Sequence, residues 1–115
     1  MHHCVDTIIS GGQHVSAAEV EAVIIACDGV AECAVIGLPD ALWGERVCAV
    51  VVVNPGVALT AHAIVRHCLE RLAGFKMPRQ VLLQHEALPR TSAGEVDTSI
   101  LIARHTDPML QSNAG

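Results

Sequence analysis

A chain of 115 residues with 51% hydrophobic and 17% charged side chains suits one domain with its own core and is too apolar to stay disordered. Seven Lys plus Arg against twelve Asp plus Glu give a formal net charge of -5, with no basic stripe for nucleic acid. The longest apolar run, residues 47–53, is far too short to span a bilayer, and no signal-peptide pattern opens the chain, so a cytoplasmic protein without a membrane span is expected.

Taken in order, residues 6–9 read as a short strand entering a turn at Ser10-Gly11-Gly12. Ser16-Ala17-Ala18-Glu19 fits a capping box, with Glu19 reaching back to the cap. Val20, Val23, Ile24 and Cys27 follow on one helical face, and Asp28-Gly29 stops the helix with Gly29 in the left-handed position. Residues 30–38 and 46–53 read as strands, the second a buried central one. Thr60 is placed to cap a helix over 61–72, with Ile64, Val65, Cys68, Leu69 and Leu72 inward and Gly74 as its end. Residues 80–83 read as a further strand. Asp97 caps a last helix to about His105, and residues 106–115 read as a flexible tail. Short turns between neighbouring strands favour antiparallel pairing. The expected fold is a small α+β domain, a mainly antiparallel sheet flanked by helices.

Aromatic side chains are limited to Trp43 and Phe75, so the core must come from Val, Ile, Leu and Ala. The five cysteines are odd in number and lack C-x-x-C spacing. They read as small buried hydrophobes in a reducing compartment. No set of residues has metal-ligand spacing; His62 and His67 are not at the i, i+4 separation of a helical metal pair, so no metal site is assigned.

Three segments carry the functional signal. They are Asp6-Thr7-Ile8-Ile9-Ser10-Gly11-Gly12-Gln13-His14-Val15, then Val35 through Trp43-Gly44-Glu45, and Leu72-Ala73-Gly74-Phe75-Lys76-Met77-Pro78-Arg79 followed by Leu88-Pro89-Arg90-Thr91-Ser92-Ala93-Gly94-Glu95-Val96-Asp97. In order and spacing they resemble the C-terminal lid domain of the adenylate-forming acyl-CoA synthetase family. The resemblance covers residues 6–103 and makes residues 6–105 the lid-like domain, with residues 1–5 an altered or truncated hinge. It implies a lid that rotates over a larger domain, first for ATP-dependent adenylation of a carboxylate and then for thioester formation with CoA. ATP, AMP and CoA enter as substrates, and no tightly held cofactor is implied.

By the same resemblance the Gly11-Gly12 loop lines the pantetheine tunnel, Trp43 and Phe75 contact CoA, and Lys76 attracts its phosphates. Met77 stands where relatives often carry a basic residue. The family's catalytic lysine falls on Glu95. Two unit charges about 4 Å apart interact by about 4 kcal/mol at an effective dielectric near 20, so this reversal removes an attraction and adds a repulsion of similar order. Adenylation is therefore expected to be impaired. The same residues also fit structural roles: turn glycines at Gly11 and Gly12, a tryptophan covering a core edge, a phenylalanine packed at a helix exit, an ordinary loop acid at Glu95. Three readings follow: a stand-alone or truncated lid, inactive alone and served by an adenylation domain in trans; a non-catalytic CoA-binding or ligase-docking module; or a gene remnant.

Overall fold

Strands β3 (Val30–Asp40) and β4 (Gly44–Val53) form the spine of the structure, an antiparallel pair whose register runs from Glu32↔Val52 to Asp40↔Gly44. The structure is a computed structural model describing residues 7–106, so the expected hinge at 1–5 and the tail beyond residue 106 lie outside the described residues. Alternate side chains on a strand point to opposite faces, and both faces of this pair are covered. Cys33, Val35, Val47, Ala49 and Val51 pack with helices α1 (Ala17–Ile25) and α2 (Ala61–Leu69). Ala34, Ile36, Leu38, Cys48, Val50 and Val52 pack with Leu88 and with Leu101 of α3 (Thr98–Thr106). Burial on both faces is why the run 47–53 has no polar alternation.

The expected α+β class holds: the sheet runs β2-β1-β4-β3, with β5 (Gln80–Gln84) also on β4. Its mainly antiparallel character has one exception. β5 lies parallel to β4, from Cys48↔Gln80 to Val52↔Gln84, because the chain returns through α2 rather than through a tight turn. A strand missing from the sequence reading, β2 (Gln13–Ser16), pairs with β1 (Thr7–Ser10). Gly11 and Gly12 sit at φ +59° and +81°, the conformation of a two-residue hairpin, so the chain doubles back into β2 and not directly into a helix.

At α1, Ser16 Oγ accepts from Glu19 N at 3.2 Å, but the expected return bond from the Glu19 side chain is absent. That carboxylate binds Lys76. The helix ends at Ile25 with Ala26 as its C-cap, leaving Cys27 half-buried beyond it, and Gly29 at φ +97° redirects the chain into β3. A Cβ on Gly29 would also lie 2.8 Å from Val57 Cγ1. On the outer edge of β3, Val35 N donates to Glu21 Oε2 at 2.9 Å, so α1 closes part of an otherwise open strand edge.

Thr60 caps α2 as expected, accepting from Ala63 N at 3.1 Å. The helix stops at Leu69, short of residue 72, and Leu69 is 62% exposed rather than inward. Arg71 N and Leu72 N both bond to Cys68 O, a tight exit that still turns Leu72 into the core, as expected. Gly74 does not end the helix; it opens a 3-10 turn, Gly74–Lys76. β3 and β4 extend past their expected ends, to Asp40 and back to Gly44, because the turn between them is tighter than the Pro39-Asp40 pair suggests. Asp97 Oδ1 accepts from Ile100 N at 3.1 Å and caps α3, which includes Thr106 and so overruns the expected start of the tail.

Cys33, Cys48 and Cys68 are buried, Cys27 is half-buried, and all four are free thiols. Burial pushes the Cys48 thiol up to about 11, so it stays protonated at neutral pH. Among the described residues no helix is long and apolar enough to cross a membrane.

Candidate functional site

The turn at 41–43 is built from the backbone outward. Asp40 Oδ1 accepts from both Leu42 N and Trp43 N at 2.9 Å, which folds the turn and fixes the Trp43 backbone. Those two bonds hold the Asp40 carboxyl below its ordinary value of 3.8; burial works against them, while Arg46 and Arg79 add attraction. Arg46 braces the same turn, donating from Nη1 to Pro39 O at 2.8 Å and from Nε to Gln80 Oε1 at 2.9 Å.

The β1–β2 loop docks on this turn. Ser10 pairs with Gly44, and Gly11 N donates to Trp43 O at 2.8 Å. A Cβ at Gly11 would lie 2.6 Å from Trp43 Cε3, so the indole occupies the space a side chain would need. Glu45 secures the strand behind it, Oε1 accepting from Ile9 N at 2.9 Å. On the indole itself lies Arg79, its Cζ 3.8 Å from the ring centroid. Arg79 N donates to Val47 O at 2.8 Å, which fixes where that guanidinium starts.

The 3-10 turn carrying Phe75 and Lys76 packs against β2. Phe75 is 43% exposed, which removes the reading of it as core packing at a helix exit. Lys76 Nζ lies 5.6 Å from the Phe75 ring centroid and is paired with Glu19. Met77, the position often basic in relatives, is partly buried against the core between α1 and α2. Of the expected residues, then, the structure joins Gly11 directly to Trp43 and brings Phe75 and Lys76 in on the turn beside β2. Gly12 leaves open space, with no atom within 4 Å of a Cβ built on it.

Sequence reasoning assigned no role to Arg79. The signal available was a lone cation just after a proline and just before a strand, and nothing in the sequence tied it to Trp43 across α2.

Glu95 sits apart. Residues 90–96 form a small hairpin, with Arg90 and Val96 bridged, Thr91 N donating to Glu95 O at 2.8 Å and Gly94 N to Thr91 O at 2.9 Å. Arg90 holds it to the sheet, Nη2 donating to Glu32 Oε1 at 2.6 Å and Nη1 to Gly94 O at 3.1 Å. The Glu95 side chain is exposed and, among the described residues, makes no hydrogen bond or ion pair. Its tether at Glu32 and the Trp43 turn at Asp40 are at opposite ends of β3, about 26 Å apart by strand rise.

The sequence model of the AMP-binding enzyme C-terminal domain matches residues 19–95. The chain belongs to that family. It is 46% identical over 96 residues to the long-chain-fatty-acid–CoA ligase FadD13 of Mycobacterium tuberculosis, covering 84% of this chain and 19% of that protein. The 3-[(3aS,4S,7aS)-7a-methyl-1,5-dioxo-octahydro-1H-inden-4-yl]propanoyl:CoA ligase of Rhodococcus jostii is 49% identical over 96 residues, covering 84% of this chain and 18% of that ligase. Among solved structures, ATP-bound MatB from Rhodopseudomonas palustris superposes with a TM-score of 0.86 at 38% identity, over 90% of this chain and 20% of MatB. A Mycobacterium tuberculosis fatty acyl CoA synthetase superposes at 0.82 with 42% identity, over 88% of this chain and 20% of that one. The AMP-binding C-terminal domain described by residues 7–106 thus spans about a fifth of the length of the ligases it matches.

Proposed function

We propose that this domain is the lid of an ATP-dependent acyl-CoA synthetase, competent to receive CoA for thioester formation and impaired in adenylation. The observation that carries the reading is the corner where Gly11 meets Trp43 beneath Arg79. A backbone loop without side chains, an aromatic face and a guanidinium suit a ligand with a thin pantetheine arm, a planar base and phosphates. Gly12 follows Gly11 in the same loop, and Phe75 and Lys76 lie on the turn that packs against β2; on this reading they serve the same ligand. Glu95 supplies a carboxylate where adenylation calls for a cation, and among the described residues no positive group pairs with it.

On this reading the domain has no ligase turnover alone and works with an adenylation domain, in the same chain or in trans. Fatty-acid metabolism is the proposed setting, given the acyl-CoA ligases among the relatives. A cytoplasmic location fits the free thiols. The exposed, unpaired Glu95 also favours a second reading, a CoA-binding module that docks on a ligase without catalysing either half-reaction.

The test combines this chain with an acyl-CoA ligase from which the lid has been removed. Pyrophosphate release from ATP and carboxylate reports adenylation; thioester formation from preformed acyl-adenylate reports the second step. The proposal expects thioester formation with the native chain and adenylation only with Glu95→Lys. Saturable CoA binding without either rate would favour the docking module, and loss of all three would defeat both.

A further inference from the structure

We propose that Glu19 is a built-in competitor for the coenzyme's phosphates, holding Lys76 out of play while the Arg79 side chain, which makes no hydrogen bond or ion pair among the described residues, stays open to them. This rests on the CoA reading above. Lys76 Nζ lies 3.0 Å from Oε1 and 3.0 Å from Oε2 of Glu19, so one ammonium is shared by both oxygens of one carboxylate. The carboxylate is well placed to stay there. Glu19 N is bonded to the Ser16 cap, and an acid in the first turn of α1 also faces the positive end of the helix dipole.

Arg79 differs in kind. Its guanidinium stacks on the Trp43 ring and is attracted to the Asp40 carboxylate without a hydrogen bond to it, which leaves its N–H groups able to donate to an anion. A phosphate arriving at the 3-10 turn meets Lys76 already neutralised and Glu19 beside it. It gains Lys76 only by displacing the carboxylate. Glu19 therefore sets how much of the affinity for a phosphorylated ligand the turn can contribute, and leaves the unphosphorylated arm untouched. Both side chains are partly exposed, 26% for Lys76 and 44% for Glu19, so the exchange is a moderate one.

Trp43 is the single tryptophan, and its fluorescence reports on ligands at the corner. CoA and pantetheine would each be titrated into the native chain, Glu19→Gln, Lys76→Gln, Arg79→Gln and the Glu19→Gln/Lys76→Gln double variant. The expected result is that Glu19→Gln binds CoA about two- to fivefold more tightly, the range of an exposed ion pair, with pantetheine unchanged and the gain absent from the double variant. Lys76→Gln should also weaken CoA binding less than Arg79→Gln does, a comparison that stands even where Glu19→Gln fails to fold. Equal or weaker CoA binding by folded Glu19→Gln, a parallel gain for pantetheine, or a larger loss in Lys76→Gln than in Arg79→Gln overturns the proposal. Absence of saturable CoA binding in the native chain defeats the CoA reading itself, and this inference with it.

Discussion

The Trp43 corner and the Glu95 hairpin are held in opposite ways. At the corner, the Asp40 carboxylate, the Gly11 N–H, the Arg46 guanidinium and the Arg79 stack converge from separate elements on one turn. The hairpin closes mainly on itself, and its side-chain ties to the sheet include the Arg90–Glu32 pair and Val96, packed at its base against the core. A surface fixed by many independent contacts is preorganised for binding, while a hairpin held at its base can present a residue to a partner that completes the site. On the proposed reading, a charge reversal at Glu95 would alter chemistry without disturbing the fold that presents it.

The largest effect should come from beneath the hairpin. Leu101 is fully buried among Leu38, Val50 and Leu88, and Leu101→Ala should destabilise the domain by about 2–5 kcal/mol in urea unfolding. A cost under about 1 kcal/mol would mean that α3 is not part of the cooperative core. At the corner, Gly11→Ala combines a left-handed φ of +59° with a Cβ 2.6 Å from Trp43 Cε3, and about 1–3 kcal/mol should be lost. The indole should move, with its emission shifted and CoA titration abolished. An unchanged spectrum would show that the ring does not rest on Gly11.

Smaller effects separate the two ends further. Glu32→Gln breaks an exposed pair worth under about 1 kcal/mol, so global stability should barely change. Amide exchange at Thr91 and Gly94 should nonetheless speed up while that at Gly11 stays the same; equal acceleration at both ends would erase the distinction drawn here. The gentlest probe is acid. The folded Asp40 carboxyl titrates below 3.8, so its support of the turn is complete above that value and is lost as pH falls through the lowered one. Trp43 emission should change in that window, and Asp40→Asn should remove the transition.

Much of the scaffold was legible because its signals are local. The Ser16, Thr60 and Asp97 caps, the left-handed Gly29 and the β-branched run 47–53 each depend on neighbours within a few residues. Where the sequence misled, a distant partner had intervened. Glu19 had the spacing of a capping-box acid, but Lys76 took its carboxylate. Leu69 had the helical phase of a core residue, but the helix gives way to a tight exit at Cys68 that leaves Leu69 exposed while Leu72 is buried as expected.

The candidate site divides along the same line. The motifs were enough to raise the family resemblance, from which a site at Gly11, Gly12, Trp43, Phe75 and Lys76 and a charge reversal at Glu95 were expected, because residue type and spacing are properties of the chain itself. That Gly11 is the seat of the indole, that Arg79 stacks on the ring and that Lys76 is already neutralised were decided only in three dimensions. Each is a contact between residues far apart in sequence. Such contacts depend on where β1, α2 and β5 come to rest against β4, and the packing of the whole sheet sets those positions.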